Sequence, residues 1–339
     1  MAFSLLTQEL AMDLGTANTL IIHNDKIIVD EPSIVAIDKK TNKLRALGRA
    51  ARQMQGREHE GIKIVRPLRD GVIADFEAAE MMIRGMIKMI NSKHRWLQPS
   101  IKIVIGIPSG STEVERRAVR DSAENAGGRG VYLLYEPMAA ALGIGLDVLA
   151  PTGNMVIDIG GGTSELAVIS LGGIVCGESI RIAGDVFTND IKEFMRQEYS
   201  VRIGERTAED IKIAVGSALT ELENPPKDYI VRGPNIITSL PLEIAVSYQK
   251  IATALDKSIT RLETAIVSVL EQMPPELYAD IVAHGIYLTG GGALLKGLDK
   301  RLTQRISIPF IVSEDPLRAV ARGTGFALKN IEKFPFLMQ

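Results

Sequence analysis

The stretch Asp13-Leu14-Gly15-Thr16-Ala17-Asn18 and its counterpart Asp158-Ile159-Gly160-Gly161-Gly162-Thr163-Ser164 decide the fold of this chain. Apolar runs flank both stretches, at 10–12 and 19–22 for the first and at 155–157 and 166–169 for the second. The pattern predicts a strand, a tight turn and a second strand, made twice. Glycine permits the close backbone approach of such a turn, and its successive N–H groups form a concavity that binds anions. Two facing hairpins of this kind would hold a nucleoside triphosphate, with an acidic group of each beside a magnesium ion.

Other kinds of glycine-rich turn fit these stretches less well. A single aspartate-glycine turn after a strand is typical of a plain β-hairpin, and it is the matched pair that favours phosphate binding. The glycines do not follow the GxxxxGK[ST] order of a Walker P-loop, and they do not form a GxGxxG turn that opens a helix. The sequence therefore indicates neither a P-loop nor a Rossmann site.

The composition is ordinary for a soluble globular protein, with 46% hydrophobic and 24% charged residues. A chain of 339 residues exceeds what one core usually supports, so we expect two domains. A net charge of −2 gives no footprint for nucleic acid. The single cysteine, Cys176, fits a reducing cytoplasm, and the scattered histidines make a zinc site improbable. We find no secretory signal and no apolar run that could span a membrane, and we expect a cytoplasmic protein.

Apolar spacing and turn signals predict the main elements. Helices are expected over 75–91, 113–126, 136–142 and 247–273, with a closing helix from Asp315-Pro316. Strands are expected within 10–35 and over 101–107, 131–134, 173–182 and 286–289. The polar, basic stretch 39–63 is interpreted as a small exposed insertion. Thr207 and Asp210 have the spacing of a capping box at a helix start.

Five segments together resemble the MreB family of bacterial actin homologues, over essentially the whole chain. They are residues 13–19, 66–76, 136–141, 158–165 and 288–295. Several are specific to this family within the wider superfamily of actin, sugar kinases and heat-shock chaperone ATPases. The resemblance implies an α/β, actin-like ATPase fold of two related α/β domains, each with a smaller subdomain, and nucleotide in the interdomain cleft.

The resemblance also implies where the subdomains begin and end. The large subdomain of domain I would comprise 1–31, 67–142 and 316–339, and its small subdomain 32–66. The large subdomain of domain II would comprise 143–180 and 244–315, and its small subdomain 181–243.

Site residues follow from the resemblance, residue by residue, with ATP and Mg2+ as the implied ligands. The catalytic candidates are Glu136, which would position the attacking water, and Thr163, which would assist it. Asp13 and Asp158 would hold the metal through water. The nucleotide contacts would be Thr16, Ala17, Asn18, Gly161, Gly162 and Thr163 at the phosphates, Gly290, Gly291, Gly292 and Ala293 at the adenosine, and Glu209, Asp210, Ile211 and Lys212 at the ribose and base.

Two of these assignments have plainer alternatives when the residues are taken alone. Glu136 stands at a predicted helix start, where negative charge is favoured, so it could be a simple helix cap. Glu209 and Lys212 lie one helical turn apart and share a face, so they could be an ordinary solvated ion pair.

The resemblance raises the question of a membrane anchor. Trp96 and Leu97 lie beside basic residues in a predicted loop. Tryptophan favours the bilayer interface, and nearby cations favour anionic lipid. This pair is the predicted membrane-inserting tip, helped by Phe3, Leu5 and Leu6. The alternative is a tryptophan folded back onto its own domain.

The resemblance implies an ATP-dependent, polymerising cytoskeletal protein with slow ATPase activity coupled to assembly. Its partners would be further copies of itself in filaments, the inner face of the cytoplasmic membrane, and membrane-bound cell-wall elongation proteins, with a role in rod shape. It would be cytoplasmic and peripheral on that membrane. The alternatives within the superfamily are a small-molecule kinase, which would need an acceptor pocket, and a chaperone-type ATPase, which would need a substrate-binding domain.

Overall fold

The structure is a computed structural model that describes residues 7–90 and 100–339. Its strands, in chain order, are β1 (Thr7–Leu14), β2 (Asn18–His23), β3 (Lys26–Pro32), β4 (Val35–Asp38), β5 (Lys43–Leu47), β6 (Ile62–Val65), β7 (Leu68–Arg69), β8 (Val72–Ile73), β9 (Ser100–Ile107), β10 (Gly128–Tyr135), β11 (Asn154–Ile159), β12 (Ser164–Ser170), β13 (Gly173–Ile180), β14 (Tyr229–Pro234), β15 (Pro241–Val246), β16 (Ile286–Thr289) and β17 (Phe310–Val312).

The helices confirm most of the sequence predictions to within a few residues. They are α1 (Arg49–Met54), α2 (Phe76–Ile90), α3 (Glu113–Asn125), α4 (Glu136–Gly143), α5 (Gly184–Tyr199), α6 (Glu205–Val215), α7 (Tyr248–Glu271), α8 (Pro275–His284), α9 (Leu298–Ile306) and α10 (Ala319–Lys329). None of the helices within 7–90 and 100–339 has the length and apolar content needed to cross a bilayer.

Two five-stranded sheets share one topology. Their strand orders are β3-β2-β1-β9-β10 and β13-β12-β11-β16-β17. In each sheet the first three strands along the chain form antiparallel pairs, and the two later strands join parallel to the first. The chain therefore contains two related halves, and the two predicted hairpins occupy the same place in both.

Helices α4 and α10 lie between the two sheets. α4 contacts β11 and β12 of the second half, whereas α10 contacts β1 and β9 of the first. The two helices cross at glycines: a Cβ on Gly143 would lie 1.8 Å from the Ala319 carbonyl oxygen, and one on Gly323 would lie 1.7 Å from that of Ala139. Only a residue without a side chain permits this approach. The crossing sets the spacing of the two sheets, and with it the spacing of the hairpins.

Smaller elements extend from each half. In the first half, β4, β5 and β6 form a separate sheet beside α1, and Ile34, Ala36 and Ala51 form a small core beneath them. The stretch 39–63 is therefore part of a folded unit and not merely an exposed insertion. In the second half, α5 and α6 pack together, and β14 pairs with β15.

The predicted capping box at Thr207 and Asp210 is wrong. α6 begins at Glu205 with Gly204 as its N-cap residue, so Thr207 lies inside the helix. The capping box that the structure does contain opens α3. There the Thr112 N–H donates to Glu115 Oε2 at 2.7 Å, and the Glu115 N–H donates to Thr112 Oγ1 at 3.3 Å. Glutamate at the third helical position has the reach that aspartate lacks.

Candidate functional site

The first hairpin turn, between β1 and β2, is held by residues that lie outside it. The Ser33 N–H donates to the Ala17 carbonyl at 3.0 Å, and the Ser33 hydroxyl donates to the Gly15 carbonyl at 2.6 Å. The Gly71 N–H donates to the Thr16 hydroxyl at 3.0 Å. Ser33 and Gly71 were not among the predicted site residues, and Gly71 stands in a segment that carried the family resemblance. These bonds hold the turn through two of its carbonyls and one of its side chains.

The second hairpin turn, between β11 and β12, is anchored by the start of α5. The Gly160 N–H closes the turn onto the Thr163 carbonyl at 2.9 Å. The Gly184 and Asp185 N–H groups donate to the carbonyls of Gly160 and Gly161 at 3.1 and 2.7 Å. The first turn of a helix has spare N–H donors, and here two of them orient a phosphate-loop candidate. The position of this loop is therefore tied to the position of α5.

The two turns lie in direct contact across the cleft. A Cβ on Gly161 would lie 2.7 Å from Ala17 Cβ, and one on Gly162 would lie 2.7 Å from Thr16 Oγ1. Any side chain at these glycines would push the halves apart. The fold thus brings together four predicted site residues from separate parts of the sequence, Thr16, Ala17, Gly161 and Gly162. Backbone N–H groups bordered by glycine suit a phosphate chain, which needs close approach to the backbone.

Carboxylates from both halves converge behind the turns, with Asp158 buried and Asp13 partly buried. Burial raises the pKa of Asp13 to about 7, with the negative charge of Asp158 as a further cause. Burial also raises the pKa of Asp158 to about 6, although the Thr289 hydroxyl donates to Asp158 Oδ1 at 2.8 Å and works in the opposite direction. Groups that cost this much to ionise suit a site where a bound cation would compensate their charge.

Glu136 opens α4 and is 9% exposed. Burial, together with the charges of Glu165, Asp13 and Asp158, raises its pKa well above the usual value. Among the described residues, no backbone or side-chain group hydrogen-bonds to its carboxylate, which argues against a simple helix cap. The carboxylate is therefore available to hold a water.

A direct metal site of protein ligands is not formed. Within 7–90 and 100–339, no three histidine, cysteine, aspartate or glutamate side chains are gathered closely enough to hold an ion. The carboxylate and hydroxyl oxygens near the turns are the donors that Mg2+ accepts through its water shell. The residues fit the predicted magnesium held through water by Asp13 and Asp158, and that assignment stays a prediction.

The remaining predicted contacts fall on α6 and on a third glycine turn. Lys212 Nζ lies 2.7 Å from Glu209 Oε2 and also donates to the Gly184 carbonyl at 2.8 Å, so this pair is half-buried and joined to the start of α5. The Ile211 side chain is fully buried in the core of the second half, on a different face from this pair, and Asp210 is partly buried.

The third turn, residues 290–293, packs on the root of the second hairpin. A Cβ on Gly290 would lie 2.4 Å from the Ile159 carbonyl oxygen, and one on Gly292 would lie 2.2 Å from Ile159 Cγ2. The Gly290 N–H donates to the Pro316 carbonyl at 2.9 Å. All three glycine turns therefore meet around one end of the second sheet, and Ala293, the last residue of the third turn, is buried.

A charged bridge joins the two halves of the molecule. Arg66, from the small sheet region of the first half, donates to Asp185 Oδ2 at 2.7 Å and to Glu205 Oε1 at 2.6 Å. Asp185 and Glu205 stand at the starts of α5 and α6. Sequence reasoning missed this bridge, because nothing local links residues so far apart in the chain.

The molecule has two related α/β halves, each with a phosphate-type hairpin, and two helices that cross between them. These features define an actin-like, ATPase-type protein. The MreB/Mbl protein family model matches residues 7–335, so the chain belongs to the MreB/Mbl family.

Relatives and solved structures agree with this assignment. The chain is 44% identical to the cell shape-determining protein Mbl of Bacillus subtilis, over 98% of either chain. It is 46% identical to the cell shape-determining protein MreB of Escherichia coli, over 97% of this chain and 95% of that one. Its structure is similar to that of MreB5 of Spiroplasma citri bound to ADP, with a TM-score of 0.91 and 38% identity, over 96% of this chain and 98% of the other.

Proposed function

We propose that this protein is a polymerising, actin-like cytoskeletal ATPase that takes part in determining cell shape. The observation that carries the proposal is the contact of the Thr16–Ala17 and Gly161–Gly162 turns, which come from equivalent positions of the two halves. Relatives named as cell shape-determining proteins, and a similar structure bound to ADP, support it. A ligand with several phosphates is the partner that two such turns suit.

Nucleotide binding and the arrangement of the two halves are coupled in this proposal. Because the turns touch, a triphosphate that accepts hydrogen bonds from the N–H groups of both would alter the distance between them. The start of α5 moves with the second turn, since it donates to the Gly160 and Gly161 carbonyls. The Arg66 bridge to α5 and α6 responds to the same movement. Nucleotide would in this way select the arrangement that adds to a filament.

The proposed ATPase reaction is slow and coupled to assembly. Glu136 holds the attacking water in line with the γ-phosphorus, and Thr163 helps to orient it. Phosphoryl transfer depends mostly on such positioning and on neutralisation of charge. A bound Mg2+, held through water by Asp13 and Asp158, would supply that neutralisation.

Peripheral attachment to the inner face of the cytoplasmic membrane belongs to the same proposal, with membrane-bound cell-wall elongation proteins as partners. The proposed anchor, Trp96 and Leu97, lies outside the described residues, as do Phe3, Leu5 and Leu6.

Sedimentation tests the proposal. The protein is mixed with Mg-ATP, with Mg-ADP or with no nucleotide, over a range of concentrations, and pelleted polymer and released phosphate are measured. Polymer that appears above a threshold concentration with ATP, without any acceptor or client, is expected. Phosphate transfer to a small molecule without polymer would instead identify a kinase, and nucleotide turnover stimulated by unfolded protein would identify a chaperone-type ATPase.

A further inference from the structure

Glu165 has a buried carboxylate next to the candidate site. It was not among the predicted site residues. It lies in β12, and its relative exposure is 0%. Its Oε2 accepts the Ser109 N–H at 2.9 Å and the Ser109 hydroxyl at 2.5 Å, and its Oε1 accepts the Ser179 hydroxyl at 2.6 Å. An ionised carboxylate only accepts hydrogen bonds, and three donors are aimed at this one.

The bonds of Glu165 join the two halves of the molecule. Ser109 follows β9 in the first half, whereas Ser179 lies opposite Glu165 on β13 in the second. The segment around Ser109 is packed tightly at the joint, because a Cβ on Gly110 would lie 3.0 Å from Ser179 Cβ. Glu165 therefore fixes where one edge of the first half meets the second sheet.

This joint lies directly behind the proposed catalytic pair. Glu165 follows Thr163 by two residues and pairs across the hairpin with Asp158. On the other side, Ile107 pairs with Tyr135, the residue before Glu136. The charge of Glu165 is also among the causes that raise the pKa of Glu136. Glu165 thus lies two residues after Thr163 and hydrogen-bonds to Ser109, which follows the strand that pairs with Tyr135.

The two halves show that the fold itself does not require a carboxylate here. The cross-strand partner of Asp13 in the first hairpin is Leu20, and the cross-strand partner of Asp158 in the second is Glu165. Leucine fills the equivalent place with an apolar side chain. A buried acid that needs three donors calls for a reason beyond packing.

We propose that Glu165 is a positioning residue for ATP hydrolysis, which holds the Ser109 segment so that Glu136 and Thr163 face the same water. The inference rests on the proposed ATPase function. A glutamine at this position would remove the negative charge and replace one acceptor oxygen by a donor group, so the charge-assisted bonds from Ser109 would weaken and the bond to Ser179 would have to reverse its direction. The joint would loosen, although the side chain keeps its size.

The test measures nucleotide binding and single-turnover phosphate release separately, with protein in excess over ATP so that assembly does not limit the rate. In Glu165→Gln we expect ATP affinity within about threefold of the parent and phosphate release slowed by about tenfold to a hundredfold, because small displacements of reacting groups cost this much. Ser109→Ala should slow release in the parent background and add little in Glu165→Gln. Ser109→Thr, which keeps the hydroxyl, should retain the parent rate.

A matched control is Glu263→Gln, which alters another buried glutamate of the second half that bonds to Arg301 and lies in α7. It should lower the melting temperature and leave phosphate release per bound nucleotide unchanged. The inference would be overturned if Glu165→Gln released phosphate at the parent rate. It would also be overturned if the rate losses of Glu165→Gln and Ser109→Ala were additive in the double variant. A parent that binds ATP without hydrolysing it would instead overturn the proposed function.

Discussion

At the scale of single residues, the site gathers several carboxyl groups. Burial, and then the charges of neighbouring carboxylates, raise the pKa values of Asp13, Glu136 and Asp158. Gathering like charges in a buried region lowers the stability of the folded protein, and such clusters are typical of functional sites. Substitution of each residue is therefore expected to affect a different property, namely hydrolysis, stability or Mg-ATP binding.

Removing Glu136 should separate hydrolysis from binding. We expect Glu136→Ala to keep ATP affinity within a few-fold and to slow phosphate release by orders of magnitude, because the positioned water is lost. Calorimetry and a phosphate-release assay on the same sample measure the two effects. Unchanged release would show that Glu136 is only a structural residue at the start of α4.

Removing the charge of Asp13 should stabilise the nucleotide-free protein at high pH. The pKa of Asp13 in the folded protein is about 7, above its usual 3.8. The folded state therefore holds a proton that the unfolded chain has already lost, and the free energy of unfolding falls as the pH rises through this window. We expect Asp13→Asn to be more stable than the parent at about pH 8, by a margin that shrinks at about pH 5.

Denaturant unfolding at the two pH values measures this margin. A control is Asp38→Asn, since hydrogen bonds from Thr41 lower the pKa of the partly exposed Asp38, and loss of this carboxylate should destabilise the protein. The same Asp13→Asn variant should bind Mg-ATP more weakly in calorimetry, because a negative charge near the ion is gone. Parent-like stability at both pH values and parent-like binding of Mg-ATP would both contradict this reasoning.

At the scale of elements, the sequence predicted what depends on local pattern. The apolar run ending at Ile107 and the amphipathic spacing of 75–91 correspond to β9 and α2, because both signals lie within the element itself. The start of α6 was mispredicted, since Thr207 and Asp210 have cap spacing but lie inside the helix that Gly204 begins. A local pattern identifies an element better than it identifies its first residue.

The two cap motifs give a direct comparison. Thr112→Ala should lower the free energy of unfolding by about 0.5–2 kcal/mol, because the helix loses its N-cap acceptor. Thr207→Ala should change it little, since Thr207 is an interior position of α6. Chemical denaturation of both variants measures the difference. Equal effects of the two substitutions would mean that the Thr112–Glu115 box contributes nothing specific.

At the scale of the whole molecule, the important contacts could not be predicted from the sequence. The Arg66 bridge reaches Asp185 and Glu205, and the Glu165 bonds reach back to Ser109. Each joins residues that only the assembled fold brings together, and neither leaves a periodic signal. The family resemblance supplied the residues of the turns, whereas the supports that hold those turns in place needed the structure.

The proposed membrane attachment also belongs to this scale, because it would depend on the filament and not on one subunit. Trp96 and Leu97, which lie outside the described residues, are proposed to insert into the bilayer. Full burial of such a side chain contributes only about 1.5–3 kcal/mol, so one subunit would bind weakly. A filament repeats the pair many times, and avidity then makes the attachment stable. Binding to lipid should therefore require polymer.

The prediction is tested with Trp96→Ala/Leu97→Ala in a flotation assay, in which anionic liposomes rise with the protein bound to them and free polymer does not. We expect the double variant to keep its melting temperature and its ATP-dependent assembly and to lose most of its lipid binding. If Trp96 instead packs against its own domain, truncation would leave a cavity and cost about 3–5 kcal/mol of stability. A control that replaces Phe3, Leu5 and Leu6 by serine separates the two candidate anchors. Lost lipid binding in that control, with full binding in the double variant, would move the anchor to the N-terminal residues.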